Sequence, residues 1–310
     1  MNEVKEFVRE NRAESTNKQY TYHQTLFIEW CNERNIDTKR GNKNTLAAYL
    51  ADAWKKGTIT SASAANTARS AVSDLYRYTA EREQSLGESK IVRDVMSTIE
   101  KKSKPQREAK PLTKQHFMQI FPMIDMDSYI EVRDYYCMLL MYAMGRRGKE
   151  MTDIETDKVI NEKEEKRMRV RHEPAKQKNR KEIETVIAHA VDKAAMNVGL
   201  WHELYMELRE KETRQGEGDE CPYYFQTKEG KKMSANTIRW GMKRLFTKAR
   251  LPLEGIGTHS ARKGAATAMA EGGVSTALID QHCTWAGETR NRYIRTSLTS
   301  KEQATQHLND

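Results

Sequence analysis

One segment of this 310-residue chain, residues 128–144, is apolar almost throughout and long enough for roughly four turns of helix. Its centre reads Tyr135-Tyr-Cys-Met-Leu-Leu-Met141, which leaves no polar face for water. The segment falls short of the roughly 20 residues that a membrane span needs, and no other apolar run in the chain reaches that length. We therefore expect this helix to form the centre of a hydrophobic core.

The first hundred residues have helical periodicity, with apolar side chains at spacings of three and four. Ser15 is placed to cap a first helix that ends near Arg34. Three further helices are expected over residues 46–54, 61–83 and 91–101. In the last of them Ile91, Val95 and Ile99 are predicted to face the core. The region is therefore interpreted as a small helical bundle.

A basic segment with prolines follows the bundle. Residues 101–111 contain two prolines, five basic residues and no large apolar side chain. This composition is typical of a solvated interdomain linker. We predict a helical domain over residues 1–103, a linker over 104–111 and a second domain over 112–310.

The periodicity changes within the second domain. The segments 167–172 and 182–187 alternate between polar and apolar residues as strands do, and a basic, polar stretch separates them. They indicate a short antiparallel hairpin. Helices are predicted before it at residues 113–120 and 128–144, and after it at residues 190–211, 234–250, 260–271 and 275–282. The predicted fold class is mainly α (α+β), with one small antiparallel sheet.

The charge of the chain favours a polyanionic partner. The 53 basic residues outnumber the 44 acidic ones, for a net charge of +9. The excess is local: five basic residues lie in 101–110, eight in 166–181 and seven in 231–250. Any one such run is more often a solvated surface than a binding site, whereas three of them together favour nucleic acid.

Compartment and metal content follow from other features of the sequence. The N-terminal residues are too charged for a secretory signal, so we expect an intracellular protein without a membrane span. Four scattered cysteines without a CxxC pair argue against a disulfide framework and against a structural zinc site. We predict no metal and no cofactor.

The C-terminal quarter contains residue types suited to phosphate chemistry. Cutting a phosphodiester without metal requires a nucleophile, cations on the non-bridging oxygens and an acid for the leaving oxygen. Arginine suits the second task because its planar guanidinium donates two parallel hydrogen bonds and stays charged. Arg262 follows His259 by three residues, so the two share one face of a helical turn.

This arrangement resembles the tyrosine recombinases and integrases, and the likeness covers nearly the whole chain. The matching residues, in chain order, are Arg147 and Glu150 in the first arginine box, His259 and Arg262 in the second, Trp285 at the position of a histidine or tryptophan, and Tyr293 as nucleophile. The family keeps a catalytic lysine in the hairpin between the two boxes. Lys176 and Lys178 are both candidates for it, and Lys176 is favoured.

Three features of the sequence depart from the family pattern or compete with it. Arg146 stands next to Arg147 and competes for its role, although the three-residue step to Glu150 favours Arg147. Cys283-Thr284 replaces the Leu-Gly that usually precedes the position of Trp285. The step from Trp285 to Tyr293 is also one residue shorter than in many members.

The resemblance implies a mechanism and a set of partners. Tyr293 would attack the scissile phosphate to give a 3′-phosphotyrosine, without ATP or metal, and the arginines would stabilise the transition state. The partners would be double-stranded DNA and three further copies in a tetramer on DNA, with a monomer or dimer off DNA. The helical N-terminal domain would clamp the DNA. The predicted DNA contacts are Lys101, Lys102, Lys104, Arg180, Lys181, Lys243 and Arg244.

Several hypotheses remain open at this point. The first is a site-specific recombinase, integrase or transposase of a mobile element, with features that favour a eukaryotic, crypton-like branch. The second is a telomere resolvase or a type IB topoisomerase with the same chemistry. The third is a DNA-binding protein derived from a recombinase and no longer catalytic. We expect the nucleus as compartment for a eukaryotic protein and the cytoplasm for a bacterial or phage protein.

Overall fold

The computed structural model describes residues 12–39, 41–77, 85–105, 108–173, 182–212 and 221–285, together with residues 7 and 10. The chain divides into two compact units, Met1–Gln106 and Arg107–Asp310. The division falls inside the predicted linker. Residues after it already belong to the second unit, because the Lys110 and Leu112 backbone N–H groups donate to the carbonyls of Gly255 and Ser260.

The described part of the first unit is helical. Its elements are α1 (Glu14–Asn32), α2 (Lys43–Lys55), α3 (Ala62–Leu75), a 3₁₀ turn (Leu86–Glu88) and α4 (Lys90–Lys102). Asn42 and Ser61 cap α2 and α3 through their side-chain oxygens. Helix α1 packs on α3 and α2 packs on α4, around a core that includes Phe27, Tyr49 and Val72.

Two details of the predicted bundle are wrong. Ser15 lies inside α1, whose N-cap is Ala13 and has no side-chain cap. Ile91 is 42% exposed, whereas its neighbour Val92 is fully buried. The buried stripe of α4 therefore runs through Val92 and Ile99, with Val95 packed against its edge, and Ile91 lies one residue outside it.

The second unit combines seven helices and three strands within its described residues. The helices are α5 (Lys114–Ile120), α6 (Tyr129–Met144), α7 (Gly148–Thr152), α8 (Val198–Glu212), α9 (Ala235–Lys248), α10 (Thr258–Glu271) and α11 (Thr276–His282). The strands are β1 (Val159–Glu162), β2 (Arg167–His172) and β3 (Ile183–Ala188). Short 3₁₀ turns occupy Phe121–Met123, Thr156–Lys158 and Ala194–Met196. The predicted fold class is thus confirmed.

Helix α6 is the apolar helix predicted from the sequence, and it is central. Ser128 caps it, and α8, α9 and α10 all pack on it. Every residue from Val132 to Met141 is buried. The polar members of this run are satisfied internally, since Arg133 binds Asp134 and the Tyr135 hydroxyl donates to the Ala195 carbonyl.

The sheet is antiparallel in the order β1-β2-β3. Register pairs Val170 with Thr185 and His172 with Ile183, so the predicted hairpin is present. Strand β1 was not predicted because it has four residues and is half-buried throughout. Helix α8 also begins at Val198 rather than near residue 190, since a 3₁₀ turn precedes it. No helix in the described ranges is long and apolar enough to cross a membrane.

Candidate active site

The site begins where α6 ends, at a glycine that reverses the chain. Gly145 has φ +62°, and a Cβ there would lie 2.7 Å from the Cys283 Sγ atom. The left-handed conformation and the close approach both require glycine. The reversal places two consecutive arginines directly before α7, and their side chains differ in exposure. Arg146 is buried, whereas the Arg147 side chain remains 20% exposed.

Glu150 is the buried anion of the site and is 2% exposed. Its Oε1 accepts from Arg147 Nη1 at 2.9 Å and its Oε2 accepts from the Arg147 backbone N–H at 3.0 Å. Arg262 Nη1 lies 3.7 Å from Oε2. Burial acts to raise the pKa of Glu150, but the Arg147 N–H and the charges of Arg262 and Arg147 hold it below its ordinary value.

Arg262 projects from α10 into the interior and is fully buried. Its Nη1 donates to the Gly145 carbonyl at 3.0 Å, and its guanidinium lies 5.1 Å from the centre of the Trp285 ring. His259, one turn earlier on α10, is exposed. The structure thus brings Arg147, Glu150, Arg262 and Trp285 together, although they are far apart in sequence. Two guanidinium groups share one carboxylate, which leaves the cluster with a net positive charge.

Five of the sequence-predicted site residues lie outside the described residues. They are Lys176, Lys178, Arg180, Lys181 and Tyr293. Only their described neighbours can be located. The segment with both candidate lysines joins β2 to β3, and Trp285, eight residues before Tyr293, lies against Arg262.

The other predicted DNA contacts lie on described helices. Lys101 and Lys102 are exposed in the last turn of α4, and Lys104 is exposed just beyond it. Lys243 lies 5.0 Å from the ring centre of Trp240, which is 65% exposed. Arg244 forms an ion pair with the buried carboxylate of Asp134, so it also connects α9 to α6.

Sequence reasoning missed a buried network of hydrogen-bonded polar side chains beside this cluster. Arg146 is 1% exposed, and its guanidinium donates to the hydroxyls of Thr185 on β3 (2.9 Å) and Thr284 (2.6 Å). His172 Nε2 lies 3.2 Å from the same Thr185 hydroxyl. Burial lowers the pKa of Arg146 to about 10, assisted by the charges of Arg262 and Arg147. The position of Arg146, next to the box arginine, was the signal available in the sequence.

His172 makes the stability of the second unit sensitive to acid. Burial and the charge of Arg146 lower its pKa to about 4, from 6.5 in an exposed histidine. The folded state therefore favours neutral His172, and its contribution is complete above pH 6.5 and is lost as the pH falls to 4. The loss amounts to about 3 kcal/mol. We expect His172→Gln to reduce the pH dependence of the unfolding free energy between these values, and part of it should remain because burial also lowers the pKa of His202 to about 4.

A matched control for this measurement is His189→Gln. His189 is half-buried and its pKa is lowered by burial, but it lies outside the Arg146 network. The control should retain most of the acid sensitivity. The unfolding free energy is measured by urea unfolding at pH 4.5, 5.5 and 6.5. If it changes with pH equally in wild type and His172→Gln, His172 is not a source of the acid sensitivity.

The sequence of this chain matches the profile of the phage integrase family over residues 110–298. The match covers more than half of the chain and includes both arginine boxes, Trp285 and Tyr293. The chain therefore belongs to the phage integrase family, and the resemblance to tyrosine recombinases and integrases is confirmed. No curated protein sequence matches it significantly.

Solved structures share its fold at low sequence identity. The XerH site-specific recombinase, bound to palindromic difH substrate after cleavage, is 16% identical with a TM-score of 0.68, over 94% of this chain and 80% of that one. A lambda integrase in a tetramer on a Holliday junction is 15% identical with a TM-score of 0.61, over 94% and 76%. The Tn1549 transposon integrase with transposon right end DNA is 13% identical with a TM-score of 0.63, over 94% and 93%.

Proposed function

We propose that this chain is a site-specific DNA recombinase or integrase of the mobile-element type, which cuts and rejoins strands through a 3′-phosphotyrosine. The observation that carries the proposal is the cluster of Arg147 and Arg262 around the buried Glu150, beside Trp285. Guanidinium groups fixed in a site that excludes water stabilise developing charge on a phosphate without reorganising during the reaction.

Each residue has one task in the proposed reaction. The Tyr293 phenol gives its proton to His259 as its oxygen attacks phosphorus, and the bond from phosphorus to the 5′ oxygen breaks. Lys176 or Lys178 gives that leaving oxygen a proton, which produces a free 5′-hydroxyl. Arg147 and Arg262 bind the non-bridging oxygens, and His259 handles protons beside them. Attack by a 5′-hydroxyl of a partner strand on the phosphotyrosine then reverses the steps and releases Tyr293.

Glu150 tunes the cluster rather than reacting. Its pKa lies below the ordinary value, so it is ionised at neutral pH. One carboxylate between two guanidinium groups fixes their orientation and lowers their mutual repulsion. The remaining positive charge is then available to the phosphate.

The two units divide the work of binding DNA. The first, with exposed Lys101, Lys102 and Lys104 at its end, would clamp one side of the duplex, while the second carries the chemistry. Strand exchange between two duplexes needs four active sites, and the lambda integrase structure is a tetramer on a Holliday junction. A tetramer on DNA is therefore proposed here as well. The chain would work in the compartment that holds its DNA, the nucleus or the bacterial cytoplasm.

Covalent trapping tests the proposal and also finds the DNA site. The purified chain is incubated in EDTA with a library of duplexes nicked next to the candidate phosphate, so that the short 5′-hydroxyl fragment diffuses away. We expect a denaturation-resistant adduct on the 3′ phosphate, because the phosphotyrosine retains the energy of the broken bond and needs no metal.

The same experiment separates the alternatives. Sequencing the trapped DNA should return one short motif, and two duplexes with that motif should exchange strands. Relaxation of any supercoiled plasmid without strand exchange would favour a topoisomerase. Salt-sensitive binding with no adduct would favour an inert DNA-binding protein and overturn the proposal.

A further inference from the structure

Arg146 is a fully enclosed cation that the proposed chemistry does not use. It is 1% exposed, and its hydrogen bonds go to neutral hydroxyls rather than to a carboxylate. A buried guanidinium is costly unless its donors are satisfied, so its surroundings must hold those hydroxyls in place. The side chain therefore constrains the two elements that supply the hydroxyls.

The first of these elements is the sheet. Thr185 lies in the middle of β3, is 4% exposed, and its hydroxyl contacts both Arg146 and His172. His172 is the last residue of β2, and Ile183, the first of β3, pairs with it. The segment between these two residues contains Lys176 and Lys178. Arg146 is thus connected to the base of the lysine-bearing hairpin.

The second element is the turn after α11. Thr284 has φ +51°, a left-handed conformation that is unfavourable for a β-branched residue. The Thr284 and Trp285 N–H groups donate to the carbonyls of Gln281 and Asp280, the bonding pattern that ends a helix at a position usually occupied by glycine. A threonine at this position carries backbone strain. It also supplies the hydroxyl that Arg146 Nη1 contacts at 2.6 Å.

The two contacts converge on the catalytic cluster. Trp285, adjacent to Thr284, lies 5.1 Å from the Arg262 guanidinium, and the Arg147 backbone follows Arg146 directly. One guanidinium therefore joins the β3 strand, the turn before Trp285 and the start of α7. These three elements carry or flank the lysine candidates, the path to Tyr293 and the box arginine.

We propose that Arg146 is a positioning residue that fixes the paired ends of β2 and β3, which flank the lysine segment, and the Trp285 turn relative to the cluster of Arg147, Glu150 and Arg262, with the Thr284 hydroxyl as a partner. The inference rests on the proposed recombinase function. It explains why a strained threonine stands where glycine would fit the backbone better. The contacts act through Trp285 and the hairpin, so Arg146 itself touches no substrate.

Single-turnover cleavage of the nicked DNA site, at saturating protein, tests this role. Arg146→Met keeps an unbranched side chain without the guanidinium donors, and Thr284→Val keeps the branched shape without the hydroxyl. We expect each to slow adduct formation on the order of 10- to 100-fold, because small displacements of reacting groups have large effects on rate. DNA affinity should change by less than about threefold, since Arg146 is enclosed and the Thr284 hydroxyl accepts a hydrogen bond from it.

Two further variants separate positioning from simple loss of stability. Thr284→Ser keeps the hydroxyl and should react within about threefold of wild type. Thr284→Gly removes the same hydroxyl as Thr284→Val but relieves the backbone strain, so it should unfold at a higher temperature than Thr284→Val and yet react as slowly. The double variant Arg146→Met/Thr284→Val should be no slower than the slower single variant, because both changes break the same contact.

The experiment distinguishes a failure of the positioning role from a failure of the proposed recombinase function. If wild type forms no adduct, the recombinase proposal itself fails. If Thr284→Val and Thr284→Gly form the adduct as fast as wild type, the positioning role is wrong. If Arg146→Met does not fold, the three Thr284 variants decide the question, because their side chains lie in a turn. Additive effects in the double variant would also contradict the pairing.

Discussion

Replacing Tyr293 with phenylalanine is expected to abolish the covalent protein–DNA adduct while DNA binding survives. The substitution removes only the phenol oxygen, which is the atom that would bond to phosphorus. The proposed cleavage step assigns no other side chain as nucleophile, so the loss should be complete within detection rather than partial. The measurement is adduct formation on the nicked duplex, with affinity determined in parallel by fluorescence anisotropy.

Another tyrosine of the chain provides a control for the loss of a phenol oxygen near the site. Tyr129, Tyr135 and Tyr205 are buried in the core, where their hydroxyls donate to backbone carbonyls. Tyr223, in contrast, is half-buried and lines the same cavity as Glu150 and His172. Tyr223→Phe should therefore leave adduct formation unchanged. An adduct in the Tyr293→Phe variant, or its loss in Tyr223→Phe, would assign the nucleophile to another residue.

Local patterns in the sequence predicted those parts of the fold that depend on neighbouring residues. Helix α6 follows from its apolar run, and the β2–β3 hairpin follows from its alternation. The contact between Arg147 and Glu150 also follows from the sequence, because residues three apart on a helical turn meet. In each case the information lies within a few residues of the feature.

Contacts between distant segments were beyond such patterns. Arg146 meets Thr185 and Thr284, which lie 39 and 138 positions away in the chain. Nothing in the residue type of Thr284 indicates a left-handed conformation, since threonine rarely adopts one. Strand β1 is too short to show an alternation of polar and apolar residues, and it forms by pairing with the edge of β2. The proposed catalytic residues were found from the order of their motifs in the sequence. The contacts that support them could be seen only in the folded structure.

Arg262 is expected to be the most sensitive of the described site residues. Arg262→Lys keeps the charge but replaces the planar fork, which contacts the Gly145 carbonyl and lies against Trp285, with a single ammonium. We expect the rate of adduct formation at saturating DNA to fall by about 10²- to 10³-fold, the usual effect of removing one preorganised donor at a developing charge. Arg262→Ala should be slower still, because the positive charge beside the phosphate is lost together with the planar fork.

A buried arginine elsewhere on the same core separates catalysis from folding. Arg133, near the beginning of α6, is 4% exposed and binds the Asp134 carboxylate. Arg133→Lys therefore disturbs a comparable buried ion pair at the end of α6 opposite to Gly145. Both lysine variants should lower the unfolding temperature, since a single ammonium cannot reproduce the several contacts of a planar guanidinium. Only Arg262→Lys should slow cleavage per folded molecule. Equal cleavage rates for the two folded variants would mean that Arg262 supports the core alone, and the phosphate clamp would then have to be sought at Arg147.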